Sequence, residues 1–249
     1  MGVAGGPAEV YGPTMDMVMG ETIAAAGLGD WRKLAQGLHA RFRVEGFSAG
    51  GRFLAAVAEA GDEVGHHPRV AMGGGHVDLE LVSDDAVYHA GDGTDHVVEW
   101  VTAQDLDLAR RVSALAAEQG LVADPAAVSE VELGLDVTSS GTVAPVWAAL
   151  LTGDPADQGR GSPSDEVRDA TGRVPNLWFD DGGEGGPSGQ RVHVEVYVAP
   201  EVVEQRIAAV VAAGGTVVDD SGSPGLTVVA DPEGNRGVLC ADVDAAPST

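Results

Sequence analysis

An alanine-rich amphipathic segment runs into Gly61-Asp62-Glu63-Val64-Gly65 and then into His66-His67-Pro68, and this stretch constrains the chain more than any other. Phe53, Val57 and Ala60 recur at helical spacing, Ser48 is a candidate N-cap, and Gly61 fits a C-terminal cap. Pro68 fixes its own φ at about −65° and steers His67 out of helical geometry, so the helix must end there. Two imidazoles are thereby carried on a stiff turn. Histidine exchanges protons near neutrality, which makes the pair a candidate acid and base. The competing reading is structural, with a protonated histidine answering the negative end of a helix dipole.

The flanking pattern predicts a small domain. Glu21 to Ala35 reads as a first helix and Leu38 to Val44 as a strand. In Val77-Asp78-Leu79-Glu80-Leu81 the apolar residues alternate with acids, the mark of a half-buried strand in an antiparallel sheet. Thr102-Ala103-Gln104-Asp105 approximates a capping box, and Leu108, Val112 and Leu115 stripe the helix that it opens, which Gly120 ends. Two helices over an antiparallel sheet give an α+β domain.

Trp31-Arg32, Gly46-Phe47-Ser48, Phe53 through Ala58, His66-His67-Pro68, Val77 through Leu81 and Thr102 through Ala109 together resemble the pterin-4a-carbinolamine dehydratases, over about Glu21 to Gly120. The resemblance implies loss of water from a 4a-hydroxytetrahydropterin to give a quinonoid dihydropterin. That is a hydro-lyase reaction with a pterin substrate, no metal and no cofactor. His66 and His67 would divide the acid and base roles. Glu63 and Pro68, on the same turn, are expected at the substrate. The sequence departs from the family where a third histidine follows the strand: Asp84 stands there. The long connection from Asp84 to Thr102 carries His89 and His96, so either Asp84 serves as the base or one of these histidines takes the place.

Composition limits the alternatives. The chain has 249 residues and a formal charge of −25, with 39 acids against 14 bases, and Lys33 is its only lysine. Acids are spread over both halves. Such a surface repels phosphate backbones and anionic membranes, so neither nucleic acid nor membrane is an expected partner. Cys240 is the single cysteine, which leaves no disulfide framework. No apolar run reaches the roughly 18–20 residues of a span, and no signal peptide is visible. The cytoplasm and a homodimer are the expected setting. Residues 1–20 read as a disordered leader.

After a short linker, 121–128, a second domain shows a weak internal repeat. Glu130 through Val137 alternates, and Val143 to Leu151 is helical, with Asn176 through Phe179 as a later strand. Val192 through Val198 alternates again, and Pro200 opens a helix striped by Val203, Ile207 and Val210 that Gly214-Gly215 end. Strands follow at 216–219, 226–230 and 237–241. Arg191 through Val196, Ala213-Gly214-Gly215 and the turn Asp231-Pro232-Glu233-Gly234-Asn235 resemble the glyoxalase-like branch of the vicinal-oxygen-chelate fold. The resemblance covers 129–244 and implies paired βαβββ modules around a cleft, with 245–249 as a tail.

Strand parity puts Glu130, Glu132 and Asp136 on one polar face, and His193, Glu195 and Tyr197 on the other. Those faces are expected to line the cleft. Metal-dependent members bring ligands from the first and last strands of each module, and Glu130 and His193 stand near the first-strand positions. The last strands offer Leu177-Trp178-Phe179 and Val238-Leu239-Cys240, so no catalytic metal is expected. A small-molecule binding or resistance protein with a degenerate dehydratase-like domain is the alternative function. A non-enzymatic dimerisation partner is a third.

Overall fold

The computed structural model describes residues 15–158, 166–169, 174–181 and 191–246; most of the expected leader and the last residues of the expected tail lie outside these. The N-terminal unit comprises α1 (Gly20–Ala25), β1 (Arg32–Leu34), β2 (Gly37–Arg43), α2 (Phe47–Val64), β3 (Arg69–Met72), β4 (His76–Leu81), β5 (Ser83–His89), β6 (Asp95–Trp100), α3 (Ala103–Glu118) and β7 (Val122–Ala123). Its antiparallel sheet runs β1-β2-β4-β3, with β7 also paired to β2. Leu38, Ala40 and Phe42 of β2 and Val77, Leu79 and Leu81 of β4 share one core with Phe53, Val57 and Ala60 of α2 and Leu108 and Val112 of α3. Phe42 meets Trp31 and Phe53 edge-to-face, with centroids 6.4 and 5.2 Å apart. Strand alternation thus gives the sheet one apolar face under two helices and one polar face turned away from them.

Several local expectations are corrected. The first helix stops at Ala25, because Gly27 at φ +70° turns the chain and Arg32 to Leu34 form a strand. Gly61 lies inside α2, and the left-handed residue that ends this helix is Gly65, at φ +67°. The N-cap of α2 is Gly46 rather than Ser48. The long connection after Asp84 is the hairpin of β5 and β6, turned at Ala90 to Thr94.

The boundaries drawn from sequence are crossed by backbone hydrogen bonds and by packing. Met17 N donates to Val87 O at 3.0 Å and Val18 N to Val101 O at 2.8 Å, which ties part of the leader to the hairpin. Val122 and Ala123 of the linker pair with Arg43 and Phe42. Ala245 of the tail is buried in the N-terminal core.

The C-terminal unit comprises β8 (Ser129–Val137), α4 (Ser140–Leu151), β9 (Glu166–Val167), β10 (Leu177–Asp181), β11 (Val192–Val198), α5 (Val203–Ala212), β12 (Thr216–Gly222), β13 (Leu226–Ala230) and β14 (Arg236–Cys240). One sheet runs β12-β13-β14-β11-β8-β10-β9. The two modules meet at the antiparallel β8–β11 pair, while β8–β10 and β11–β14 are parallel. The second module has its full strand–helix–three-strand order; the first shows three strands among the described residues. Each helix packs on its own half: α4 over Leu135, Val137, Leu177 and Phe179, and α5 over Val198 and Leu239.

Polar residues join the two units. Arg32 binds Glu201 through Nε at 2.9 and 3.1 Å, Gln36 Nε2 donates to Glu132 at 2.8 Å, and Arg168 lies 3.4 Å from Glu99. Lys33 is buried against the aromatic ring of Trp100, its Nζ 3.9 Å from the centroid and 3.7 Å from Asp242.

Candidate active site

The end of α2 positions the histidine pair. Gly61 lies where any Cβ would meet His67 Cδ2 at 2.7 Å and His66 O at 2.8 Å, so the His66-His67 backbone folds back onto the last turns of the helix. His66 N closes this by donating to Gly61 O at 3.2 Å. The rings then diverge. His66 is largely buried and His67 is about half exposed.

His66 Nε2 donates to Asp105 Oδ1 at 2.7 Å. Asp105 is wholly buried, and its other oxygen accepts from Ser83 Oγ at 2.8 Å, Thr102 N at 2.7 Å and Thr102 Oγ1 at 3.0 Å. One carboxylate therefore caps α3, ties in β5 and orients the imidazole. A buried carboxylate so bonded has its position fixed by three elements. The hydrogen bond to Asp105 raises the His66 pKa, against an opposing desolvation; the charges of Asp105, Asp85 and Asp84 add to the rise. His66 is thus a good imidazolium, with Nδ1 as the nitrogen left for a substrate.

His67 Nε2 lies 2.9 Å from Asp62 Oδ1. Glu63, expected at the substrate, is paired with Arg111 of α3, and Asp62 is the acid of this turn that meets His67. Pro68 follows the pair and leads directly into β3. Asp84 is exposed and makes no direct hydrogen bond to His66; it acts on that ring through space and lines a small cavity with Arg69, Glu99 and Arg168. His89 sits on the hairpin, bonded to Asp95 at 2.6 Å and Asp16 at 3.2 Å, which raise its pKa. His96 stacks on Tyr88 with ring centroids 6.4 Å apart. Neither hairpin histidine has a contact with His66 or His67 among these bonds.

Asp105 was missed as a site residue because a capping box already accounts for an acid at that position. The signal that was available is Ser83: a hydroxyl at the start of β5 and an acid at the start of α3 are both drawn to one buried point.

In the C-terminal unit, register places Glu195 opposite Glu132, and Tyr197 opposite Glu130. His193 lies over Gly134, where a Cβ would come within 2.4 Å of its ring, and meets Trp178 edge-on at 5.4 Å. Its Nε2 is 3.5 Å from Glu195. Tyr197 donates to Glu195 at 3.1 Å, and burial with two acidic neighbours raises its pKa. Glu132 is buried and accepts from Gln36 and from Asn176 Nδ2 at 3.0 Å. Glu130 is 4.0 Å from His39 Nδ1, so Glu130 and His193 do not converge on a shared partner. Among the described residues no three His, Cys, Asp or Glu side chains are grouped to hold a metal ion. Of the residues expected to enclose a cleft within this domain, Glu130, Glu132 and Tyr197 line cavities shared with the N-terminal unit.

Residues 18–115 match the family model described as pterin 4 alpha carbinolamine dehydratase, and residues 132–240 match that of a glyoxalase-like domain. Among solved structures, the transcriptional coactivator/pterin dehydratase from Brucella melitensis is 24% identical, covering 38% of this chain and 90% of its own, with a TM-score of 0.31. A structure titled NAD-dependent benzaldehyde dehydrogenase from Legionella pneumophila is 12% identical, covering 45% of this chain and 97% of its own, with a TM-score of 0.34. No curated protein gave a match. The chain is a fusion of a domain of the pterin carbinolamine dehydratase family with a glyoxalase-like domain.

Proposed function

We propose that the N-terminal domain dehydrates a 4a-hydroxytetrahydropterin to the quinonoid dihydropterin. The observation that carries this reading is His66 held by a buried carboxylate beside a second, differently placed histidine. His66, favoured as imidazolium, donates its Nδ1 proton to the 4a-hydroxyl, and the C–O bond breaks with water as the leaving group. His67, whose Nε2–H points at Asp62, accepts the ring N–H proton on Nδ1. The electron pair of that N–H bond becomes the new double bond, so atoms and charges balance. Environment divides the roles: Asp105 biases one ring to the acid form, while the more exposed ring serves as the base.

The test is the rate of 4a-carbinolamine disappearance, followed by absorbance. His66→Ala and His67→Ala should each lower turnover about 10²–10⁴-fold with the domain still folded. Unchanged turnover in both variants would refute the assignment.

A further inference from the structure

A cavity of about 290 Å³ lies between the two sheets, at the lower end of what small ligands occupy. Its residues come from both domains, so neither domain alone contains it. The N-terminal unit supplies Gln36, His39 and Arg69, and the C-terminal unit Glu130, Glu132 and Asn176.

Among the described residues the charges in this cavity do not balance. Arg69 bonds Glu80 at 3.1 Å and Glu99 at 2.9 Å, and Arg168 pairs with Glu99 and Glu166. Those three carboxylates have their cations. Glu132 has two neutral amides, from Gln36 and Asn176. Lys33 reaches it only through space, since the ammonium is engaged by the Ala35 carbonyl and Asp242. Among the described residues the base paired with Glu130 is His39, and burial holds that imidazole neutral, its pKa pushed down to about 4; Arg69, bonded to Glu80 and Glu99, acts on Glu130 only through space. Burial, with Glu80 and Glu132 nearby, pushes Glu130 up to about 7, and burial raises Glu132 as well. Among the described residues, Glu130 and Glu132 thus line the space without a cation of their own.

The hydrogen-bonding groups left over point the same way. His39 is 5% exposed and its Nε2 has no hydrogen-bond partner among the described residues. Asn176 gives its amide N–H groups to Glu132 and Glu166, which leaves Oδ1, able only to accept, without a partner among the described residues. Buried polar atoms are rarely left unpaired, so these two mark places for a ligand's donors. An acceptor-rich, negatively charged cavity suits a ligand rich in N–H groups and excludes phosphates and carboxylates. A divalent metal fits less well, because no three ligating side chains converge among the described residues.

We propose that the interdomain cavity binds a small organic cation of the amidinium or guanidinium class, its charge against Glu130 and Glu132 and its N–H groups on His39 Nε2 and Asn176 Oδ1. The site is separate from the histidine pair and does not depend on the dehydratase reading. In a calorimetric titration of the full-length protein, agmatine or benzamidine should saturate at one equivalent and raise the Tm. Glu132→Gln keeps a carbonyl for both amide bonds and removes only the charge; it and Glu130→Gln should each weaken binding about tenfold or more. Both variants should leave carbinolamine turnover as it is and, without ligand, should not lower the Tm. The proposal is overturned if neither probe binds at millimolar concentration, if both variants bind as tightly as the parent, or if inorganic phosphate or zinc binds there in preference.

Discussion

Replacing Asp105 by Asn tests how the site is built, because it removes one charge and almost nothing else. The asparagine carbonyl can stand where Oδ2 stands and keep the bonds from Thr102 N, Thr102 Oγ1 and Ser83 Oγ. The amide NH2 then faces His66 Nε2, where the carboxylate oxygen accepted at 2.7 Å. Two donors cannot share that line, so His66 must present a lone pair at Nε2 and carry its proton on Nδ1. Losing one charge-assisted hydrogen bond costs about 1.5–3 kcal/mol of stability, with the cap of α3 largely preserved. The cost has a pH signature. Asp105 raises the folded-state pKa of His66 above the ordinary value of about 6.5. That contribution is complete below the unfolded pKa and is lost as pH rises through the folded one. The stability gap between parent and variant should therefore be widest below about pH 6 and narrow above it. Turnover should fall on the order of 10²–10⁴-fold, and the alkaline limb of the pH–rate profile should move to lower pH, since imidazolium is the acid. Asp84→Asn is the control: it acts on His66 only through space and should shift that limb less. The measurements are urea unfolding and carbinolamine turnover across pH 5–9, taken as about two units on either side of neutrality. A pH-independent stability gap, or an unmoved alkaline limb, would show that Asp105 is a helix cap and no more.

Two further substitutions probe the surroundings. Gly61→Ala, which in an exposed helix gains about 1 kcal/mol, here forces a methyl against His67 Cδ2 at 2.7 Å and His66 O at 2.8 Å, so it should lower turnover by about tenfold or more without raising the Tm; a more stable and fully active variant would count against the packing described. Lys33, buried at the domain junction, has its pKa pushed down to about 8 by desolvation, against a partial pull upward from Asp242. Between that value and the unfolded value of about 10.4 the unfolded chain holds a proton that the folded one has shed, so Lys33 makes stability rise with pH there, by up to about 1.4 kcal/mol per unit. Cys240, pushed up to about 12, slopes the opposite way, and the difference between parent and Lys33→Met unfolding curves isolates the lysine; parallel curves from pH 8 upward would contradict its burial.

What could be read from sequence was whatever a local period or cap dictates. Val77, Leu79 and Leu81 point to the core as alternation required, and the β8 and β11 patterns gave strands, with Leu135, Val137, Val196 and Val198 packed under helices while Val192 and Val194 stay exposed. The helix carrying the histidines was legible because Pro68 limits its end. What failed were places where glycine or pairing overrides propensity. Gly27 breaks the first helix despite its alanines, and the hairpin after Ser83 is stabilised by pairing that polar Asp84 and Asp85 conceal. Asp105 was legible as a cap but not as a partner of His66, because that bond joins residues 39 positions apart.

Nor could sequence show that the polar faces of the two sheets are each other's cover, and this bears on the reading of the chain as a dimerisation partner. A half-polar sheet is free to serve as a platform only while its outer face is open. Here His39, outward from the apolar core on β2, is 5% exposed, and Lys33 of β1 is 3% exposed. Arg32 is tied to Glu201, Gln36 to Glu132, and Lys33 to Asp242. Ala245 then returns the end of the described chain to the N-terminal core. A partner docking on that face would have to displace the second sheet and re-solvate buried Lys33 and Glu132 together. The histidine pair lies instead at the end of α2, beside α3 and the hairpin, so access to it does not require the domains to separate. The fusion thus covers that face of the N-terminal sheet and leaves the candidate catalytic turn accessible, as the proposed dehydration requires.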